Sequence, residues 1–549
     1  MKVGVHVKKI SIDRFHTYSE LTELLEGWAA SYPGLARLFS AGESPEGRQQ
    51  WVLELTNQAT GKAADKPAYF INGNTHAGEV SGSAACLYTI QYLLYGYGQD
   101  ALCTHVLDTR TIYVMPRISM DGSEYYLTTP NSVRSAPRPY PDAEPADGLT
   151  PQDIDGNGLI LQMRVPDPVG EWKVCEQDPR LMVRRAPDEF GGQYYRVFPE
   201  GLIHNYDGVE VKLAEPAYGL DFNRNFAANW APEYKQTGSG SYPFSEPETK
   251  AVADFMLAHK NIVGTLAYHT AAGLFLRPFA HLSDEKLPPQ DLAVYKALEC
   301  MGEETADLPT HSLYQQFWDP NRLTVGSFPE WAYEALGIFG LEIELWNVLK
   351  RAGCDRPGGF KGMRERTYAE QVSDELKILA WNDQELGGAG FINWYFYQHP
   401  QLGLVELGGW NTKYVRQNIP GHLLEEEIHG SAMFTIRHAV ASPLMQIEQL
   451  KAEQVANHVY RLHLVAVNSG YLPTNVTEMA LRLKVAKPVE ARLELGAGQT
   501  LLAGQTKTEL GHIPGFGKQQ ASWVIQGSGP VTVTVWSEKA GVVTQTLDL

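Results

Sequence analysis

The first two thirds of the chain alternate between short apolar runs and longer segments with helical periodicity. Apolar runs at residues 50–56, 68–72 and 111–115 predict β-strands, and the segments at 80–94 and 247–259 predict α-helices with apolar faces. Strands that alternate with helices usually build sheets covered on both faces. We therefore expect an α/β fold, an α/β/α sandwich with a mixed, mostly parallel sheet.

This pattern changes twice further along the chain. Residues 130–220 are rich in Pro, Gly, Asp and Arg and show little periodicity, which indicates a long excursion over the edge of the sheet. From about residue 456, runs such as 461–467 and 531–536 predict strands separated by turns, so residues 456–549 are expected to form an all-β sandwich. The predicted division is an α/β domain at 1–380, an extension packed on it at 381–455, and the sandwich.

Composition narrows the classes of function. The 549 residues carry 46 Lys and Arg against 64 Asp and Glu, and the resulting net charge of −18 argues against nucleic acid or an anionic membrane as a partner. The five cysteines contain no CxxC pair, so neither a disulfide framework nor a cysteine-based zinc site is indicated. The N-terminus lacks the apolar core of a signal peptide, which favours a cytoplasmic protein; the alternative is a secreted enzyme whose leader has been removed.

His76 and Glu79 are the first candidates for metal ligands. They lie three residues apart on the turn that leaves the strand at 68–72, so both side chains can reach one ion. His269 follows a further apolar run at 262–268 and offers a third ligand. Two imidazoles and one carboxylate are typical of a catalytic zinc site with one position left for water, whereas structural zinc sites more often use several cysteines.

A second His-x-x-Glu pattern weakens any argument from the motif alone. His422 and Glu425 repeat the spacing, and His429 follows four residues after Glu425. These three residues lack the strand-to-turn context and the HExxH pattern of a zinc helix. We interpret them as a solvated helix surface.

Several further motifs stand in order around the first three residues. They are residues 72–79, Asp121-Gly122, residues 221–226 with the Asn223-Arg224 pair, residues 245–249, His269 at the end of its strand, and residues 337–346 with Glu344. Together they resemble the zinc metallocarboxypeptidases of the carboxypeptidase A/B superfamily, from residue 1 to about 350. Residues 380–549 are similar to the C-terminal part of a bacterial subgroup, which has a β-sandwich extension.

The resemblance implies roles for four more residues. Glu344 would accept a proton from the attacking water, whose pKa a catalytic zinc ion lowers to about 7, and would pass it to the leaving amine. Arg134 would polarise the scissile carbonyl, while Asn223 and Arg224 would bind the free C-terminal carboxylate of the substrate. Glu406, also within an apolar strand, is the alternative base, although its distance from His269 fits the family poorly.

The chain departs from the family in the substrate pocket. Glu342 stands where members commonly have a small polar residue and shares a strand face with Glu344, which suggests a preference for basic C-terminal residues. The alternative is that Glu342 pairs with a nearby Arg and selects nothing. The mobile Tyr of the family has no counterpart at residues 317–322, and Tyr314 is a candidate replacement; Gly78 replaces the Arg of digestive members.

A second ion is a further hypothesis. Asp153, Asp155 and Asn157 follow the D-x-D-x-N-G pattern of a calcium loop, although Arg164 occupies the position of the usual bidentate Glu. An Asx-rich turn is the alternative. Calcium would order the excursion and would not take part in catalysis.

The function predicted from these observations is zinc-dependent hydrolysis of the C-terminal peptide bond of peptides or proteins. Two alternatives remain: a related zinc amidase acting on cell-wall peptides, and a non-catalytic binding protein that has kept the fold. Peptide C-termini are the expected partners, without nucleic acid or membrane. The sequence gives no indication of an oligomeric state.

Overall fold

The computed structural model describes residues 9–141, 146–354 and 359–549. The strands are β1 Ala36–Glu43, β2 Gln49–Leu55, β3 Ala68–Gly73, β4 Thr111–Met115, β5 Gly148–Pro151, β6 Gln162–Pro166, β7 Trp172–Val174, β8 Met182–Arg184, β9 Tyr195–Pro199, β10 Gly201–His204, β11 Ile262–Thr270, β12 Leu274–Arg277, β13 Thr310–Ser312, β14 Phe339–Leu345, β15 Phe391–His399, β16 Gly403–Trp410, β17 Met445–Ala456, β18 Val459–Asn468, β19 Val489–Glu494, β20 Thr500–Ala503, β21 Lys507–Gly511, β22 Lys518–Gln526, β23 Pro530–Ser537 and β24 Gly541–Asp548. The helices are α1 Tyr18–Ser31, α2 Val80–Gly96, α3 Ala101–Thr109, α4 Met120–Thr128, α5 Pro247–Ala258, α6 Pro289–Ala306, α7 Leu313–Phe317, α8 Phe328–Leu336, α9 Val348–Arg351, α10 Gly359–Arg364, α11 Tyr368–Glu385, α12 Leu424–Val440 and α13 Glu478–Arg482. Residues 1–8, which contributed to the expectation about a leader, lie outside the described residues.

The main sheet has eight strands in the order β1-β2-β4-β3-β11-β14-β12-β13. Its central strands β4, β3, β11 and β14 are parallel, whereas β1, β2 and β12 join antiparallel neighbours. Alternate residues of β3 enter different cores: Tyr69 and Ile71 pack in the cluster that contains α2, and Ala68 and Phe70 pack in the cluster that contains α5. Helices therefore cover both faces, and the predicted α/β/α sandwich is confirmed.

The ladder between β11 and β14 brings distant residues of the chain together. These parallel strands pair His269 with Glu344 and Ala267 with Glu342. On the other side of β11, Tyr268 pairs with Gly73 at the end of β3, three residues before His76. The carboxyl ends of three neighbouring strands therefore converge on one place at the edge of the sheet, where open α/β folds bind ligands.

The excursion at 130–220 contains regular structure that the sequence pattern did not indicate. Four of its strands, β6 to β9, form a six-stranded antiparallel sheet with β15 and β16, in the order β15-β16-β6-β9-β7-β8. Each strand of the excursion has only three to five residues, too few to show a clear alternation of apolar and polar positions. The excursion and the segment that follows residue 380 thus build one layer jointly.

Two four-stranded antiparallel sheets, β17-β18-β22-β20 and β21-β19-β23-β24, form the predicted C-terminal sandwich around a shared apolar core. Its first strand β17 begins at Met445, ahead of residue 456 where the sequence placed the start. A register shift between Ile447 and Gln449 interrupts the alternation in β17, which explains why the pattern did not mark this strand.

The sandwich contacts the α/β domain at the end of the sheet opposite to His269 and Glu344. Thr477 Oγ1 donates a hydrogen bond of 2.6 Å to the carbonyl of Gly337, just before β14, and Lys539 Nζ donates one of 2.7 Å to the carbonyl of Ile262, the first residue of β11. None of the helices in the described part of the chain is long and apolar enough to cross a membrane.

Candidate active site

His76, Glu79 and His269 form a buried cluster at the carboxyl ends of β3 and β11. Their side chains offer ligand atoms that all lie within 4.8 Å of one another. His76 Nδ1 lies 2.8 Å from Glu79 Oε1, His269 Nδ1 lies 2.8 Å from Glu79 Oε2, and the two Nδ1 atoms are 3.2 Å apart. The three residues that the sequence singled out therefore face a single point.

Asp221 orients His76 from the opposite side of its ring. Asp221 Oδ1 lies 3.1 Å from His76 Nε2, and Asp221 Oδ2 accepts a 2.9 Å hydrogen bond from Arg134 Nε. Burial alone would raise the pKa of Asp221, but the charges of Arg134, Arg224 and His76 outweigh it and hold this pKa well below the usual value. Metal-binding imidazoles usually donate their second N–H to a carboxylate. Asp221, two residues before the Asn223-Arg224 pair, is the residue that does this here, and only its place in that motif hinted at the role.

The donor set fits a zinc ion. With the His76 proton on Nε2, facing ionised Asp221, its Nδ1 lone pair points at a carboxylate oxygen 2.8 Å away, so the space between them suits a cation. Nitrogen ligands about 2.0–2.1 Å from a tetrahedral zinc ion lie about 3.3 Å from each other, and the two Nδ1 atoms are 3.2 Å apart. Two imidazoles and one carboxylate also match the ligand types of catalytic zinc sites.

Glu344 lies beside this cluster, as β14 pairs with β11. Its side chain is 7% exposed, and its Oε2 is buried without a hydrogen-bond partner among the described residues. Burial, and then the neighbouring charge of Glu79, raise the pKa of Glu344 to about 8. The alternative base Glu406 lies elsewhere: it forms a 2.7 Å ion pair with Arg164 in the six-stranded sheet.

Arg134, Asn223, Arg224 and Glu342 share one pocket of about 640 Å³ with His76, Glu79 and Glu344. The Arg134 side chain is 44% exposed, and its Nη1 lies 3.6 Å from Glu79 Oε1. Tyr314, the candidate replacement for the mobile Tyr, also lines this pocket. The structure therefore brings all the predicted substrate and catalytic residues to one site.

Asn223 and Glu342 contact each other inside the pocket. Asn223 Nδ2 donates a 2.7 Å hydrogen bond to Glu342 Oε1, and Asn223 Oδ1 accepts one of 2.8 Å from the amide of Phe328. Glu342 Oε1 also lies 3.5 Å from His269 Nε2, and no Arg or Lys nitrogen of a described residue lies within 4.0 Å of it. The alternative in which Glu342 is neutralised by a nearby Arg is not what the described residues show.

The segment after β16 supports the turn that carries His76 and Glu79. Asn418 is fully buried, donates a 2.7 Å hydrogen bond to the carbonyl of Gly78 and accepts one of 3.0 Å from the amide of Ser81. A Cβ on Gly78 would lie 2.6 Å from Gln417 Nε2, so this segment fills the space that a side chain at position 78 would need. No sequence signal pointed to Asn418, because it is 340 residues away from Gly78 along the chain.

Two other predicted groups lie outside the site. His422 and His429 are exposed; His429 Nδ1 lies 2.7 Å from the hydroxyl of Tyr88, and Glu425 faces Lys9, so these residues lie on a helix surface that contacts solvent. In the candidate calcium loop, Asp153 and Asp155 come within reach of the buried Glu200, whose position in the chain gave no hint of this.

Backbone amides already occupy the oxygens of that loop. Both carboxylate oxygens of Asp153 accept hydrogen bonds from amides at residues 156–158, and Glu200 accepts hydrogen bonds from the amides of Ile154 and Leu161. Asn157 Oδ1 accepts one from the amide of Leu159. The loop has the hydrogen bonds of an Asx-rich turn, and calcium at Asp153, Asp155 and Asn157 stays a prediction.

Comparisons with known proteins agree with the motifs. The profile of the family described as zinc carboxypeptidase matches residues 21–351, and a domain of unknown function (DUF8731) matches residues 444–548. Carboxypeptidase D of Anas platyrhynchos is 33% identical over 111 residues, which cover 20% of this chain and 8% of that protein. Carboxypeptidase B2 of Bos taurus is 21% identical over 334 residues, which cover 59% of this chain and 61% of that protein. The chain thus spans less than two thirds of the length of either relative.

A solved structure of carboxypeptidase A from Helicoverpa armigera shows a weak likeness, with a TM-score of 0.40 and 16% identity over 69% of this chain and 76% of that one. The profile match, by contrast, covers more than half of the chain and includes every residue of the zinc cluster and its pocket discussed above, up to Glu344. The chain belongs to the zinc carboxypeptidase family, and His76, Glu79 and His269 are the residues that fit its zinc ion.

Proposed function

We propose that this protein removes the C-terminal residue from peptides or proteins in a zinc-dependent reaction and prefers basic C-terminal residues. The observation that carries the proposal is a single pocket lined by His76 and Glu79 of the zinc cluster, by two arginines, and by the buried Glu344, whose Oε2 has no hydrogen-bond partner among the described residues. Family membership alone does not define the substrate, because the fold supports more than one function.

The first role in the reaction belongs to Glu344. When bound by His76, Glu79 and His269, zinc supplies Lewis-acid polarisation and lowers the pKa of water. Glu344 accepts the water proton on its free Oε2 and returns it to the leaving amine. Burial, and then the charge of Glu79, raise the pKa of Glu344, which makes its carboxylate a stronger proton acceptor.

The second role is charge recognition by Arg134 and Arg224. Arg134 is held by Asp221 and directs its exposed guanidinium into the pocket, where it stabilises the negative charge that develops on the scissile carbonyl oxygen. Arg224 lines the same pocket and binds the terminal carboxylate of the substrate. Asn223 lines the pocket next to Arg224; its Nδ2 gives one of its two hydrogens to Glu342 and its Oδ1 accepts from the amide of Phe328, so one N–H donor is left for the terminal carboxylate.

Glu342 is the basis for the preference for basic residues. It is 2% exposed, lines the pocket, and has the Asn223 amide as its hydrogen-bond donor. A carboxylate buried without a cationic partner is costly. A Lys or Arg side chain of the substrate would supply the missing positive charge, whereas an apolar side chain would not.

Initial rates on two blocked peptides that differ only in a C-terminal Lys or Phe test this proposal. We expect kcat/KM to be at least about tenfold higher for Lys, since one retained ion pair in a buried site is worth about 1.4 kcal/mol or more. The variant Glu342→Gln should lose most of this ratio while still hydrolysing the Phe peptide. Equal values of kcat/KM for wild-type protein on both peptides would refute the preference, and no release of either residue would refute the activity.

A further inference from the structure

A second large cavity adjoins the catalytic pocket. This aromatic pocket has a volume of about 850 Å³ and is lined by four of the twelve tryptophans of the chain, Trp172, Trp346, Trp394 and Trp410. Its volume lies within the range of small-molecule binding sites, about 300–1,000 Å³. None of the roles described above uses it.

Neighbouring residues of the strands that carry the catalytic residues line the two pockets. Thr270 lines the catalytic pocket, and the next residue, Ala271, lines the aromatic one. In the same way Glu344 lines the catalytic pocket, and Trp346, two residues later, lines the aromatic one. Two residues span at most about 7 Å, so a peptide cleaved beside Glu344 reaches the aromatic pocket within a few residues.

The direction of the peptide follows from the positions of the substrate-binding groups. Arg224 and Glu342, the proposed contacts for the C-terminal residue, line the catalytic pocket only. The aromatic pocket lies past Thr270 and Glu344, and therefore receives the part of the peptide that precedes the scissile bond. This assignment rests on the proposed function.

The tryptophans are held in fixed positions. Guanidinium groups cover one face of three rings: Arg184 stands 4.3 Å from the centroid of Trp172, Arg164 stands 4.5 Å from Trp394, and Arg416 stands 4.6 Å from Trp410. Trp346 Nε1 donates a 2.7 Å hydrogen bond to the carbonyl of Val415, and its backbone has a φ of 61°. A non-glycine residue in this region is strained, and such strain often marks a functional site.

The charges of the aromatic pocket are already paired. Its charged lining residues are Arg180, Arg366, Asp374, Glu375 and Arg416, and each has an ion-pair partner. For example, Arg416 lies 2.5 Å from Glu375, and Arg366 lies 2.5 Å from Asp374. The pocket therefore offers aromatic faces and aliphatic walls, and no unpaired charge among the described residues that would recruit a charged group.

We propose that the aromatic pocket is a substrate subsite that binds a large aromatic side chain two to four residues before the scissile bond. Three of its four tryptophans come from the six-stranded sheet that the excursion and the segment after residue 380 build together. These added segments thereby give the enzyme a second point of selection, in addition to the C-terminal residue.

A peptide series tests the proposal. N-acetylated peptides of four alanines followed by a C-terminal Lys or Phe are compared with variants in which Trp replaces one alanine at a time. We expect kcat/KM to rise about tenfold or more for Trp at one of the second to fourth positions before the scissile bond, as burial of a large apolar side chain implies. Trp at the position next to the scissile bond should give no comparable rise.

Substitutions of single tryptophans test whether the aromatic pocket causes the preference for Trp in the peptide. Trp394→Ala should remove most of the Trp preference, and Trp536→Ala is the matched control. Trp536 lies in the sandwich, away from both pockets, and is likewise covered by a guanidinium, that of Arg492 at 4.9 Å. We expect Trp536→Ala to retain the wild-type preference. A preference that is equally reduced in both variants would overturn the assignment.

The outcomes separate this proposal from the proposed function. Hydrolysis of the all-alanine peptides with no gain from Trp at any position would refute the subsite and leave the carboxypeptidase activity standing. Absence of hydrolysis for every peptide would refute the activity itself. Inhibition by N-acetylglucosamine oligomers, together with no Trp preference, would assign the aromatic pocket to a glycan instead.

Discussion

Replacing Glu344 by Gln should abolish hydrolysis and at the same time stabilise the metal-free protein at alkaline pH. Glu344 is buried, its Oε2 has no hydrogen-bond partner among the described residues, and the carboxylates of Glu79 and Glu342 lie close enough to raise its pKa. Its ionisation therefore opposes folding. Glutamine keeps the shape of the side chain and removes the charge.

The size and the pH range of the effect follow from the pKa of Glu344, which rises from 4.5 to about 8 on folding. At pH values below 4.5 the carboxyl group is protonated in both states, so it makes no difference to stability. As the pH rises from 4.5 to about 8, Glu344 ionises in the unfolded chain but stays protonated in the folded protein. The wild-type protein therefore loses stability until the pH exceeds about 8. Each pH unit is worth about 1.4 kcal/mol, so the full effect is on the order of 3–5 kcal/mol.

Urea unfolding of chelator-treated wild type and Glu344→Gln, measured between pH 5 and pH 9, is the assay. The variant should gain free energy of unfolding relative to wild type as the pH rises. Glu406→Gln is the matched control: this strand carboxylate is 2.7 Å from Arg164, so its loss should destabilise the protein by about 1–3 kcal/mol. A Glu344→Gln variant that is no more stable than wild type at pH 9, or a difference that does not change with pH, would refute this reasoning.

Three further predictions concern the supports of the site. Asp221→Asn should weaken zinc binding about 10- to 100-fold, measured by competition with a chromogenic chelator, because His76 loses the carboxylate at its Nε2; unchanged affinity would contradict this role. Asn418→Ala should lower the free energy of unfolding by about 2–4 kcal/mol and weaken zinc binding, since the carbonyl of Gly78 loses its buried hydrogen-bond donor. The control is Asn475→Ala: the Asn475 side chain donates a hydrogen bond to the carbonyl of Thr477, away from the site, so its loss should leave zinc affinity unchanged. Added Ca²⁺ should raise the Tm by an amount that saturates with Ca²⁺, because Glu200 brings a third carboxylate to Asp153 and Asp155; an unchanged Tm would leave the loop as an Asx-rich turn.

The sequence predicted the parts of the molecule whose signals are local. Buried parallel strands appear as continuous apolar runs, so β3, β4 and β11 and the helices α2 and α5 lie within a few residues of their predicted positions. The zinc cluster was predictable because His76 and Glu79 share one turn. The order of the later motifs then pointed to His269 and Glu344, and the ladder of β11 and β14 places those two side by side.

The rest depended on contacts between distant parts of the chain. Asn418 supports the zinc turn from a segment 340 residues further along the chain, and Glu200 approaches Asp153 from outside its loop. The hydrogen bond from Asn223 to Glu342 depends on how the two side chains pack, and the pattern of apolar and polar positions along the sequence does not predict it. The aromatic pocket combines Trp172, from a three-residue strand of the excursion, with Trp346 after β14 and with Trp394 and Trp410 from β15 and β16, so no local pattern in the sequence relates its tryptophans.

Mass spectrometry of one peptide pair tests the central claim most directly. The zinc-loaded protein is incubated with a peptide that ends in a free Lys and with its C-terminally amidated twin. Because Arg224 is proposed to bind the terminal carboxylate, the free peptide should lose a single lysine and the amidated one should stay intact. Internal cleavage of both peptides, or loss of lysinamide from the amidated twin at the same rate, would contradict the account.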